Sequence, residues 1–345
     1  MDDRKNLEIL LKQRPVGEPR ASDFEVARRP VPEPREGEFL RRTIYLSLDP
    51  YMRGRMNDVK SYVPPAALGA PMPGGTVSEV IASRNPKFKE GDIVLGYDGW
   101  RSHACDTGEA SAAAGAVFKL DPKAMKISHA LGVLGMPGHT AYAALERIGR
   151  PKPGETLVVS AASGAVGSVV GQIAKIKGCR TVGIVGSDDK AHHCMRELGF
   201  DACVNRRSGD LRRALREACP KGVDIYYDNV GGEVLETVLR MMNIGGRVPL
   251  VGLIADYNAT EPRPGPNLFP VLVNRLLIQG FIVFDHNDLF GDFQREVGAW
   301  VREGRIRYRE DIVDGLENAP RAFMGLLQGA NFGKLLVRVS EDPTA

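Results

Sequence analysis

Residues 161–171 read AASGAVGSVVG, directly after the apolar run TLVVS at 156–160 and ahead of a helix-like stretch that continues to Gly178. Ala162, Gly164 and Gly167 stand at the AxGxxG spacing. Small residues at these three places allow a tight turn, close approach of backbone to a pyrophosphate, and close packing of helix on strand. The helix amino terminus then faces the phosphates. Small residues also simply permit helix packing, and the strand–turn–helix context is what favours a dinucleotide site. Ala162, Gly164, Ala165, Val166 and Gly167 are the candidate contacts.

The same punctuation repeats on either side of this turn, from about residue 130 to residue 300. Apolar, β-branched runs lie at 156–163, 181–187 (TVGIVGS), 224–230 (DIYYDNV), 247–253 (RVPLVGL) and 276–285 (LLIQGFIVFD). Helix-like stretches such as KAHHCMRELG, DLRRALREACP and EVLETVLRMM separate them. Near-continuous apolar strands alternating with helices predict an α/β domain with a doubly wound parallel sheet, buried on both faces. Residues 129–300 are assigned to it.

The end of the second run, about 20 residues after the glycine turn, is where an NAD site places an acidic residue for the adenosine ribose. Gly186 and Ser187 stand there instead, with Lys190 just beyond. A missing carboxylate removes repulsion against a 2′-phosphate, while Ser187 offers a donor and Lys190 a cation, so NADP is the expected cofactor. Asp188 and Asp189 keep a second reading open: either reaches the ribose if the strand runs longer, and both also suit the first turn of a helix. After a further strand-like stretch, Arg206 in NRRSG can close over the phosphate with a planar, multidonor side chain. A solvated helix face accounts for Arg212, Arg213 and Arg216. Asn229 and Val230, at the end of the DIYYDNV run, are expected to line the ligand crevice at the carboxyl ends of the strands.

Residues 1–128 have another texture. Proline- and glycine-rich turns (RRPVPEPREGEF, VPPAALGAPMPGG, NPKFKEGDIV) divide short alternating segments, which predicts an antiparallel, barrel-like domain. The tail, 301–345, closes in FGKLLVRVS and reads as turn and strand returning to that first domain. The 46 basic and 43 acidic side chains nearly balance. No apolar run reaches the roughly 20 residues of a membrane span, and the amino terminus lacks a secretory pattern, so neither nucleic acid nor membrane is an expected partner and the location expected is cytoplasmic. Five scattered cysteines form no CxxC pair. Residues 1–102 contain neither histidine nor cysteine, which leaves that half without the usual zinc ligands. No metal is expected.

Nearly end to end, the chain resembles the zinc-free medium-chain dehydrogenase/reductases, in the branch of prostaglandin reductases, leukotriene dehydrogenases and alkenal double-bond reductases. The resemblance rests on YLSLDPYMRGRM (45–56), GMPGHTAY (135–142), AASGAVGSVVGQIAK (161–175), YDNVGGE (227–233), GLIADYN (252–258), NRLLIQGFIVFD (274–285) and NFGK (331–334). It implies a GroES-like antiparallel β-barrel domain, a Rossmann-like domain, NADPH, a homodimer, and reduction of the carbon–carbon double bond of α,β-unsaturated aldehydes or ketones. By the same resemblance Lys190 meets the 2′-phosphate and Tyr257 lies beside the nicotinamide ribose. Phe281, Ile282 and Val283 offer backbone to the carboxamide, Asn331 and Gly333 belong to a loop closing over the cofactor, and Tyr51 and Arg53 line the substrate cleft. Two departures stand out: Arg206 replaces a tyrosine common among relatives, and His139 replaces a leucine.

Such a reaction needs the cofactor held against the enone and a donor for the charge developing on the carbonyl oxygen. Tyr257 can provide that donor directly or through the ribose hydroxyl, and Tyr51 is the alternative. Plain packing is the competing account of both rings. A quinone reductase of the same fold would share every cofactor motif, and a nucleotide- or RNA-binding protein on this scaffold is the non-enzymatic alternative.

Overall fold

The computed structural model describes residues 5–109 and 116–345. They cluster into two compact units, one of Met1–Leu131, Glu310–Asn331 and Leu335–Ala345, the other of Gly132–Arg309 and Phe332–Lys334.

In the second unit the described residues form a six-stranded sheet from Thr156–Ser160, Arg180–Val185, Ala202–Asn205, Val223–Tyr227, Met242–Leu250 and Leu277–Gly280. Counted along the chain, these strands lie in the order 3-2-1-4-5-6, and every pairing is parallel. This is the doubly wound Rossmann order, whose switch point falls between the first and fourth strands. Burial explains the apolar runs. Leu157, Val158 and Val159 are each 0% exposed although they point alternately to opposite faces, because helices cover both. Val182, Ile184, Tyr226, Leu235 and Val248 fill the core between sheet and helices.

All five expected runs outlast their strands, by two or three residues in four of them and by five in the last. The 276–285 run is a strand only over Leu277–Gly280, after which Phe281 N–H donates to Leu250 O (3.0 Å) and the chain turns into a 3-10 segment, Val283–Leu289. The 247–253 run likewise leaves the sheet at Leu250.

The first unit contains a seven-stranded sheet built around Phe39–Ser47. That strand pairs antiparallel with Thr76–Ser83, His103–Asp106 and Lys334–Arg338, as a GroES-like domain requires. The last of these returns the tail to the first unit. Between its strands the tail also contains a helix, Ala319–Leu327, where only turn and strand were expected. Ala319, Phe323 and Leu326 recur at helical spacing and are buried, and Pro320 suits the first turn. Phe323 meets the indole of Trp100 edge-on at 5.7 Å. Met52 and Met56 lie in the same core, so the short helix Tyr51–Arg55 is anchored by its methionines. No helix among the described residues is long and apolar enough to cross a membrane.

Candidate cofactor and active site

The first strand of the parallel sheet ends at Ser160, and the next residue, Ala161, takes a left-handed φ of 51°. That reversal lets Gly164 N–H donate to Ala161 O (2.9 Å) and starts the helix Gly167–Ile176. A Cβ on Gly167 would lie 2.4 Å from Ala161 O, so only glycine permits this approach of helix to turn. Among the described residues no side chain caps this helix. Within its first turn Ser168 N–H donates to Gly164 O (3.0 Å) and Val169 N–H to Val166 O (3.1 Å), so the N–H groups a phosphate cradle would use are those of the turn ahead of them, Ala165 to Gly167. Ala162, fully buried, ties the turn to the second strand through N–H donation to Ile184 O (3.1 Å). Gly164 also forms a parallel bridge with Gly333. Gly333 has φ 84°, and a Cβ there would fall 2.2 Å from Arg309 O. Asn331 stands where the two compact units divide, one residue before Phe332.

The second strand stops at Val185, which leaves Gly186 and Ser187 at its end as the sequence suggests. Ser187 caps the helix Asp188–Arg196, its Oγ accepting from Lys190 N–H (3.4 Å). Asp188 and Asp189 fall in the first helical turn, and the Asp188 carboxylate accepts from Asn205 Nδ2 (2.9 Å). Its place in the first turn, where a negative charge suits the helix dipole, and this lateral bond account for Asp188. Lys190 Nζ lies 5.9 Å from the centroid of the Phe332 ring. Arg206 is exposed, and its backbone N–H donates to Val185 O (2.9 Å). The guanidinium brought against Gly186 belongs to Arg207, with Nε 3.8 Å from where a Gly186 Cβ would sit. The doubled arginine was visible in the sequence, but which of the two faces the strand end depends on how the turn after Asn205 winds.

At the switch point the sequence reading missed Asp228. Its carboxylate is 0% exposed and accepts from Ser160 Oγ (3.0 Å), Tyr226 OH (2.7 Å), Val230 N–H (2.9 Å) and Gly231 N–H (3.0 Å). Burial pushes the carboxyl above its ordinary range, and these bonds pull it back. Its signal was the acidic residue inside an apolar run ending in NVGG.

Asn229 is braced against the first strand, with Nδ2 donating to Ser160 O (2.9 Å) and its N–H to Ser160 Oγ (2.8 Å). Asn229 and Val230 in turn hold the loop that carries Tyr257. Ala255 N–H donates to Val230 O (3.0 Å), and Gly252 lies so close that a Cβ would be 3.1 Å from Asn229 O. Burial pushes the Tyr257 phenol up, opposed by a backbone hydrogen bond from Leu253. Tyr257 is thus protonated at neutral pH, a state that can donate. Phe281 is buried and its ring stacks on His286 (4.7 Å, 3°). Ile282 follows in extended backbone (φ −123°, ψ 121°), and Val283 is buried. His139 is buried between Phe290 and Phe293, which assigns it to aromatic packing.

In the first unit Tyr51 opens the helix Tyr51–Arg55. Burial, then the Asp49 charge, push its phenol well up. Arg53 is 2% exposed, and its guanidinium donates to Asn57 Oδ1 (2.7 Å) and Gly17 O (2.8 Å). These bonds fasten the helix to the chain around it. Among the described residues no group of three or more His, Cys, Asp or Glu side chains is placed to hold a metal ion.

Two family models match. One described as the N-terminal domain of oxidoreductase spans residues 7–113, and one described as zinc-binding dehydrogenase spans residues 165–298. The NADPH-dependent curcumin reductase of Escherichia coli (strain K12) is 49% identical, over 98% of this chain and 98% of its own. The NADP(+)-dependent 2-alkenal reductase of Nicotiana tabacum is 40% identical, again over 98% of each. Among solved structures, CurA from Vibrio vulnificus in complex with NADPH is 46% identical with a TM-score of 0.92, covering 97% of this chain and 100% of that one. With the glycine turn, the 3-2-1-4-5-6 sheet and the GroES-like sheet in place, the chain belongs to the medium-chain dehydrogenase/reductase family, in the branch of the curcumin, 2-alkenal and prostaglandin reductases.

Proposed function

We propose that this protein uses NADPH to reduce the carbon–carbon double bond of α,β-unsaturated aldehydes and ketones. The observation that carries the reading is the end-to-end similarity to reductases named for such substrates, in a chain with a protonated, half-buried Tyr257 beyond the carboxyl end of the fifth strand. The residues fit the cofactor: an uncapped helix behind a glycine turn that a Cβ would obstruct, and no carboxylate at Gly186–Ser187. When bound, the dinucleotide supplies the hydride.

The chain's own work is to bind, orient and donate. Ala162, Gly164, Ala165, Val166 and Gly167 hold the pyrophosphate, while Gly186, Ser187, Lys190 and Arg207 hold the 2′-phosphate. Arg206, one residue earlier, adds long-range positive charge. Asn331 and Gly333 close over the cofactor, and the backbone of Phe281, Ile282 and Val283 meets the carboxamide. Tyr257 donates to the substrate carbonyl oxygen, Asn229 and Val230 hold its loop, and solvent supplies the proton at the α-carbon. Tyr51 borders the substrate and Arg53 positions its helix. Tyr257→Phe keeps the ring and removes the donor, so kcat on an enone falls roughly tenfold to a hundredfold with little change in melting temperature. Wild-type kcat in this variant, with loss in Tyr51→Phe, transfers the donor role to Tyr51. Turnover on a panel of enals, enones and quinones, with NADPH and NADH, tests the substrate class.

The proposal includes a cytoplasmic homodimer without nucleic-acid or membrane partners. Leu277–Gly280 is the last strand of the parallel sheet, and beside it Leu268, Phe269, Leu272 and Leu277 are exposed, Leu272 at 75%. A second copy related by a two-fold axis would cover both the open edge and the apolar side chains. Wild-type protein is expected to sediment as a dimer and Leu272→Asp as a monomer. A wild-type monomer at micromolar concentration contradicts the assignment. The five cysteines are free thiols, which suits a reducing compartment.

A further inference from the structure

Phe332 gathers basic side chains that come from distant parts of the chain. The Arg309 guanidinium carbon lies 4.2 Å from its ring centroid, Lys190 Nζ lies 5.9 Å from it, and the His193 ring meets it edge-on at 5.0 Å. Burial, then the Arg309 charge, push the His193 imidazole down, so at neutral pH it adds packing and no charge. Arg309 is exposed, and no ion pair among the described residues engages its guanidinium. A guanidinium held over an aromatic face keeps its charge and its several donors for phosphate oxygens.

The ring and the guanidinium are also fixed to the cofactor turn. Lys334 N–H donates to Arg309 O (2.8 Å), Gly333 packs on that same carbonyl, and Gly333 bridges to Gly164. Lys190 projects from the helix that begins at the end of the second strand. Two cations from separate segments therefore converge on one ring, which is tied on one side to the glycine turn through Gly333 and on the other to the helix that follows the second strand. Like charges gather in this way where an anion is to be held.

We propose that Arg309, held over the ring of Phe332, is a specificity residue for the 2′-phosphate of NADPH, acting with Lys190, and that Phe332 is the positioning residue for both cations. The inference rests on the NADPH reading above. It assigns to the region after the sheet a part in cofactor choice that the strand-end residues alone do not explain.

Dissociation constants measured by calorimetry for NADPH, NADH and adenosine 2′,5′-bisphosphate test it without reference to turnover. Arg309→Met is expected to weaken NADPH and the bisphosphate about tenfold and to leave NADH unchanged, with Arg309→Lys in between. Phe332→Leu is expected to show the same selective loss. Equal weakening of NADPH and NADH would place Arg309 at the pyrophosphate and overturn the proposal. No change in Arg309→Met, with selectivity lost in Lys190→Met, overturns it while the NADPH reading stands. Wild-type protein that binds NADH as tightly as NADPH defeats both.

Discussion

Asp228→Ala is expected to lower the stability of the protein by about 4 kcal/mol, because four donors, three of them buried, lose one acceptor. Unmade buried hydrogen bonds cost about 1–3 kcal/mol each, and some of these donors will find water or a new partner. Asp228→Asn keeps an oxygen in place and should cost about 1–2 kcal/mol by the same reasoning. Thermal unfolding followed by circular dichroism should register a drop of roughly 10 °C for alanine and much less for asparagine. Equal melting temperatures for wild type and Asp228→Ala would mean that the switch point is held by something else. The alanine variant should also lose activity beyond its loss of stability, since Val230, one of the four donors, holds the loop of Tyr257 through Ala255 N–H.

Gly167→Ala should weaken NADPH binding on the order of a hundredfold, about 2.7 kcal/mol, which is what losing a hydrogen bond to the charged pyrophosphate costs. The added methyl would lie 2.4 Å from Ala161 O, 2.9 Å from Ala161 C and 3.0 Å from Ala162 Cα. All three are backbone atoms, so no side chain can swing aside. The turn itself must move, taking the helix amino terminus with it. A calorimetric titration checks the affinity, and far-ultraviolet circular dichroism checks that the fold is kept. Wild-type affinity in Gly167→Ala would show that the helix terminus does not hold the pyrophosphate. Gly164→Ala is the internal comparison, because its methyl would meet only Ala161 O at 3.2 Å and should cost less.

The alternation of strand and helix between residues 156 and 280 was legible because a parallel sheet covered on both faces leaves almost uninterrupted apolar runs. Val158, Val182 and Ile184 are core residues for that reason. The limits of those runs were harder to read. Phe281 and Val283 are apolar and buried, as a strand residue would be, yet the hydrogen bond from Phe281 to Leu250 precedes a turn into 3-10 geometry. The helix Ala319–Leu327 was hidden by the short turns and glycines around it, and its buried face becomes meaningful only against Trp100.

Within the site, local signals carried the local features: Gly164 and Gly167 by their spacing, and Gly186 and Ser187 by the acid they replace. The structure brings the guanidinium of Arg207, the neighbour of Arg206, against Gly186, since charge is visible in a sequence and direction is not.

Sequence alone therefore determined the fold class, the place of the glycine turn and the absence of a carboxylate at the end of the second strand. Each of these is set by neighbours within about one strand–turn–helix unit. Tertiary structure alone decided that Asp228 collects donors from Ser160, 68 residues away, and that Arg309 and Lys190 share the ring of Phe332. Hydrogen bonds and ring contacts act over a few ångströms of space and are blind to distance along the chain, so no spacing rule could have announced them.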